Sequence, residues 1–145
     1  MYIENALEIS DELFEAVRRL VPQLGLHKII PSHTELTSLV NSEASSLWIA
    51  RYPDEHGEIV GILTVAIYRV PTGLRSIIED VVVDENLQRR GIAEALLNSA
   101  IEYAREAGVD GISLTSNLKR EAANHLYQAM GFERRETNSY YFKIK

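Results

Sequence analysis

The stretch from Ser76 to Ala107 constrains this chain more than any other. Ser76 to Val83 reads as a strand, apolar at nearly every position except Glu79 and Asp80. A strand apolar on both faces is usually covered on both faces. Asp84-Glu85-Asn86 ends it, and about Arg90 to Ala107 reads as a helix. Ala93, Leu96, Leu97, Ala100, Ile101 and Ala104 follow the helical period, and Gly108 stands at the stop position. A covered strand that runs through a short loop into an amphipathic helix calls for a sheet with helices packed on it.

The remaining segments agree with that architecture. Tyr2 to Ile9 reads as a strand, and Ser10 or Asp11 caps a helix to about Leu20. Pro22 and Gly25 break that helix. Ser32-His33-Thr34-Glu35 is a capping box opening a second helix to about Asn41. Leu47 to Tyr52 and Ile59 to Val70 pair as a hairpin across Pro53-Asp54-Glu55-His56-Gly57, with Trp48 expected against the first two helices. Gly111 to Thr115 is a strand and Arg120 to Met130 a helix. Phe132 to Glu136 and Tyr140 to Ile144 read as closing strands. The predicted order is β-α-α-β-β-β-α-β-α-β-β, a mixed α+β chain around a central sheet.

Length and composition bound the function. With 145 residues, 46% apolar and 25% charged, the chain is expected to form one domain, 1–145. No apolar run approaches the roughly 18 residues of a membrane span, and Met1-Tyr2-Ile3-Glu4, without a basic segment and apolar stretch, is not expected to open a leader peptide. A cytoplasmic location is expected, and the absence of cysteine fits a reducing compartment. The net charge of −6, with dispersed lysines and arginines, argues against nucleic acid as a partner. His27, His33, His56 and His125 lack metal-ligand spacing, so no metal is expected.

Chemistry concentrates where the apolar strand meets the long helix. A helix start presents unpaired N–H groups and the positive end of a dipole, which together bind phosphate. Gly91 admits a ligand close to the backbone, Ala93 keeps the next position small, and Arg89 and Arg90 add positive charge. The P-loop pattern and the three-glycine dinucleotide fingerprint are both absent.

What fits is Gln88-x-x-Gly91-x-Ala93. It resembles the Q/R-x-x-G-x-G/A pyrophosphate loop of the GCN5-related N-acetyltransferase (GNAT) family. Ile78 to Val83 is similar to the family strand that pairs with the pantetheine arm, and Leu114-Thr115-Ser116-Asn117 to the end of its splayed neighbour. Asn124 through Phe132 resembles the family's N-x-x-x-Y-x-x-x-G-F helix end, with two residues rather than three between Asn124 and Tyr127. The resemblance runs from Ile59 to the C-terminus. Many members have glycine where this chain has Arg89.

The resemblance implies a mostly antiparallel sheet of six or seven strands flanked by about four helices. It implies acetyl-CoA as cosubstrate, held by Val81, Val82, Val83, Gln88, Arg89, Arg90, Gly91, Ile92, Ala93, Glu94, Asn117 and Asn124. The Glu94 side chain is expected to face away while its amide contributes. Glu79 stands where members often place a general base; a structural or solvent-facing acid is the other reading. A buried carboxylate with a raised pKa accepts an ammonium proton readily. Tyr127 sits on an apolar helical stripe and would read as core, but its motif position is that of the acid that protonates the departing thiolate. A backbone N–H near Val81 or Val82 would stabilise the oxyanion. The acceptor would be a small-molecule or peptide amine attacking the thioester directly. A non-catalytic acyl-CoA-binding module and a nucleotide-binding module are the alternatives, and the family resemblance leaves a homodimer open.

Overall fold

In the computed structural model, which describes all of residues 1–145, the chain is a mixed α/β protein with two compact units, Met1–Thr115 and Ser116–Lys145. The first unit holds β1 (Tyr2–Asn5), α1 (Asp11–Leu20), α2 (His33–Val40), β2 (Ser45–Tyr52), β3 (Glu58–Val70), β4 (Gly73–Val83), α3 (Ile92–Glu106) and β5 (Ser113–Leu114). The second holds α4 (Glu121–Ala129). Short 3-10 turns follow α1 at Val21–Leu24 and precede α3 at Glu85–Leu87. No helix is long and apolar enough to cross a membrane.

Caps written in the sequence start the first two helices. The Ser10 hydroxyl accepts from the Leu13 N–H at 3.1 Å. Ser32 and Glu35 close the predicted capping box, at 3.1 Å and 2.9 Å. Each bond satisfies an amide that the helix itself leaves free.

The sheet runs β1-β2-β3-β4-β5, antiparallel throughout except for the parallel β4–β5 pair. Leu47, Ile49, Ile59, Ile62 and Val82 point to one face, where they pack with Leu13, Val17, Leu20 and Leu36 of the first two helices. The opposite face meets α3, whose Ile92, Leu96, Leu97, Ala100 and Ala104 are buried. A Cβ built on Gly61 would come within 3.1 Å of Leu96 Cδ1, so glycine lets α3 lie close to β3. Burying a side chain such as Leu96 is worth about 1.5–3 kcal/mol. Across the sheet, Arg51 of β2 donates to Glu12 of α1 at 2.7 Å, and that bond holds the Glu12 carboxyl below its ordinary pKa.

Three expectations are corrected. The sheet has five strands rather than six or seven, because Phe132–Glu136 and Tyr140–Ile144 form none. Tyr140, Tyr141, Phe142 and Ile144 are exposed and meet no ladder partner, without which an extended segment is not a strand. Trp48 tilts against Tyr103 of α3, with ring centroids 5.5 Å apart, rather than against the first two helices. Strand alternation requires this, since Leu47 and Ile49 already occupy the α1 and α2 face. The first strand ends at Asn5, short of Ile9.

Candidate active site

The end of β4 departs from simple alternation. Gly61 pairs with Val83 and Ile62 with Val82, but Thr64 pairs with Glu79. β4 therefore carries one extra residue opposite Leu63, a β-bulge, and Asp80 takes a left-handed φ of 53°. Asp is among the few residues that tolerate this conformation. The bulge changes which side chains share a face. Simple alternation would put Glu79 with Val81 and Val83; the register puts it with Val82 instead.

The bulge also coincides with the parting of β4 from β5. Ladder pairs join only Ile77 to Ser113 and Ile78 to Leu114. Beyond them, the outer edge of β4 from Glu79 to Val83 has no neighbouring strand. Free main-chain N–H and C=O groups on such an edge are open to an extended ligand. One carbonyl there, that of Val83, accepts from the Gln88 side chain at 2.9 Å.

Val83 leads through Asp84 and the 3-10 turn into the start of α3. Gly91 is the N-cap of α3, with φ 77°, and no side chain caps the first turn. In the same unit α1 and α2 both have serine caps. The first amides of α3, on Ile92, Ala93 and Glu94, are thus left to solvent or to a ligand. Arg89 also has a left-handed φ, 63°, a conformation that glycine adopts more readily than a residue with a side chain. Arg90 lies over the Tyr52 ring, 5.5 Å from its centroid, and donates to the Tyr52 hydroxyl at 3.2 Å. Gln88, Arg89, Arg90, Gly91 and Glu94 are exposed, while Ile92 is buried and anchors the helix. Uncapped amides, the dipole end and two arginines fit a diphosphate.

Glu79 is exposed rather than buried. The desolvation that the apolar strand pattern predicted for it is absent, because Glu79 stands at the point where β5 stops covering β4.

The remaining predicted residues lie in the second unit. Asn117 does not cap α4 with its side chain; Arg120 is the N-cap and makes no capping bond. Asn117 Oδ1 instead accepts from Lys119 N–H at 2.9 Å, an Asx turn. The Asn124 amide donates to the carbonyls of Asn117 and Arg120, both at 2.9 Å. That use ties α4 to the turn before it and leaves only its oxygen free for a ligand. Tyr127 is buried and meets Phe132 edge-on, with centroids 5.9 Å apart. Burial pushes its phenol above the ordinary pKa, while nearby Arg120 pulls it down by less.

Three contacts at the base of the Asp84–Arg90 loop had no local signal in the sequence. Asp84 faces Arg19, Glu85 N–H donates to Gln23, and Arg90 meets Tyr52. The Glu85–Gln23 bond spans 62 positions. Only a folded chain brings such residues together.

A sequence profile of the Acetyltransferase (GNAT) family matches residues 10–132, and the chain belongs to this family. Among curated relatives, N-acetyltransferase 8 of Rattus norvegicus is 28% identical over 108 residues, covering 70% of this chain and 47% of that protein. The uncharacterized N-acetyltransferase MJ1207 of Methanocaldococcus jannaschii is 37% identical over 59 residues, 41% of this chain and 26% of that protein. The chain thus spans about half the length of these relatives or less. Among solved structures, the aminoglycoside acetyltransferase meta-AAC0020 from an uncultured soil metagenomic sample, in complex with trehalose, superposes with a TM-score of 0.83 at 23% identity. The match covers 99% of this chain and 96% of that one. AAC(6')-Iy in complex with the bisubstrate analog CoA-S-monomethyl-acetylneamine superposes with a TM-score of 0.76 at 19% identity, over 98% and 97% of the two chains. At these identities the likeness is one of fold.

Proposed function

We propose that this chain is a single N-acetyltransferase domain that moves an acetyl group from acetyl-CoA to a primary amine. The observation that carries the reading is the junction of β4 and α3: an unpaired strand edge running into an uncapped helix start at a left-handed glycine. Family membership and the CoA-analog complex of a fold neighbour support acetyl-CoA as the donor. The fold neighbour meta-AAC0020 is named an aminoglycoside acetyltransferase, which supports a small-molecule amine as acceptor. Peptide amines remain within the same chemistry.

Bound acetyl-CoA supplies a thioester carbonyl that an amine nitrogen can attack, forming C–N and breaking C–S. The amides of Ile92, Ala93 and Glu94, with Gln88, Arg89, Arg90 and Gly91, hold the diphosphate. The edge of Val81, Val82 and Val83 holds the pantetheine arm, and an N–H near Val81 or Val82 takes the oxyanion. Asn124 contributes through its side-chain oxygen, and Asn117, whose Oδ1 is held by the Lys119 amide, through its side-chain NH2. Glu79 takes the proton the ammonium must lose. Its exposure to solvent suits relay through water better than direct contact. Tyr127 gives a proton to the leaving sulfur, a proton its phenol carries at neutral pH.

Thermal unfolding with acetyl-CoA, beside ATP, tests the donor. At about 100 times its dissociation constant a ligand adds about 2.7 kcal/mol. That raises Tm by roughly 3 °C or more per kcal/mol in a domain of this size. No rise at saturating acetyl-CoA overturns the reading, and an equal rise with ATP points to a general nucleotide-phosphate site. Turnover across an amine panel then separates enzyme from binding module. Glu79→Gln and Tyr127→Phe are each expected to lower kcat by about 100-fold or more, the lower range for general acid–base groups. Binding with no turnover by the unsubstituted chain would favour the module.

A further inference from the structure

The Asp84–Arg90 loop is largely exposed, and both Arg89 and Gly91 hold left-handed backbone. A segment with few buried contacts opens easily unless something at its base restrains it. Here the restraint comes from the end of α1 and the turn after it. Asp84 divides its carboxylate: Oδ1 accepts from Asn86 N–H at 3.1 Å, and Oδ2 lies 3.5 Å from Arg19 Nε. Arg19 also donates to the Ile59 carbonyl of β3. Gln23 Oε1 accepts from Glu85 N–H at 2.9 Å while its Nε2 leans on the Arg19 carbonyl at 3.4 Å. Both ends of the Gln23 amide are committed, so its orientation is set.

We propose that Gln23 and Arg19 are positioning residues that latch the origin of the loop, so that the α3 amides meet a diphosphate already arranged. The inference rests on the acetyl-CoA reading above. It assigns to the α1 end a part in donor affinity that touches no donor atom.

Gln23→Met removes the acceptor at similar volume, and Gln23→Glu restores an acceptor oxygen. Two readouts decide. In the ligand-free protein, amide hydrogen exchange at Glu85 is expected to quicken in Gln23→Met and to recover in Gln23→Glu, with α3 protection unchanged. By titration calorimetry, Gln23→Met is expected to bind acetyl-CoA about three- to tenfold more weakly, the scale of one hydrogen bond. S-acetylpantetheine, which lacks the diphosphate, is expected to bind both forms alike. Unchanged Glu85 exchange, unchanged acetyl-CoA affinity or an equal loss for both ligands overturns the proposal while leaving the acetyltransferase reading in place. Failure of the unsubstituted chain to bind acetyl-CoA overturns that reading and, with it, the latch's role in affinity.

Discussion

Arg89 and Gly91 share a backbone conformation but not a side chain, with φ 63° and 77°. A left-handed non-glycine residue costs roughly 1–2 kcal/mol. Gly91→Ala is therefore expected to lower stability by about 1 kcal/mol, or roughly 3 °C in Tm. Arg89→Gly is expected to leave Tm unchanged or raised, because relief of strain offsets the added freedom of the unfolded chain. Differential scanning calorimetry on the two variants checks that only Gly91→Ala lowers Tm. Tyr127 carries the pH prediction of the site. Its phenol is raised above the ordinary value by burial. A group whose folded pKa is raised contributes stability that is full below the unfolded pKa and lost as pH rises through the folded one. Unfolding at successive alkaline pH values is expected to show a decline above about pH 10 that Tyr127→Phe removes. The glycine turn of the proposed site was legible at this scale because Gln88, Gly91 and Ala93 stand at short fixed spacings. The left-handed turn at Arg89 was not, because an arginine carries no sign of positive φ.

Helices were readable one at a time. Ser10 and Ser32 announce α1 and α2 through bonds closed within one turn. Ser10→Ala is expected to cost about 1 kcal/mol, seen as a fall in the urea midpoint with an unchanged slope. Strand β4 was readable as a strand but not as a bulged one. The extra residue depends on what β3 sets opposite it, and the Thr64–Glu79 pairing is a property of two strands. That single insertion moved Glu79 to the face of Val82, and the end of the β5 pairing left it exposed where the apolar pattern called for burial. The closing strands failed for a related reason. Alternation in Tyr140 to Ile144 proposes a strand, but a strand exists only with a partner.

Over the whole molecule, net charge and local charge oppose each other. The chain carries −6, yet Arg89 and Arg90 flank the uncapped start of α3. Donor affinity is expected to fall as salt rises from about 20 mM to about 500 mM, since screening acts on exposed arginines more than on the distant acids. Calorimetric titration with acetyl-CoA at both ends of that range checks it, and a flat response would remove the two arginines from the site. The sequence by itself determined the four helices, the five strands that do form, the serine caps and the position of the glycine turn that opens α3. These follow from interactions among residues a few positions apart, where spacing alone sets geometry. Only the tertiary structure decided the bulge in β4, the exposure of Glu79, the face on which Trp48 packs and the latch of Arg19 and Gln23 on the loop. Each of these depends on residues far apart in the chain, and the Gln23–Glu85 bond across 62 positions exists only once α1 and β4 have met.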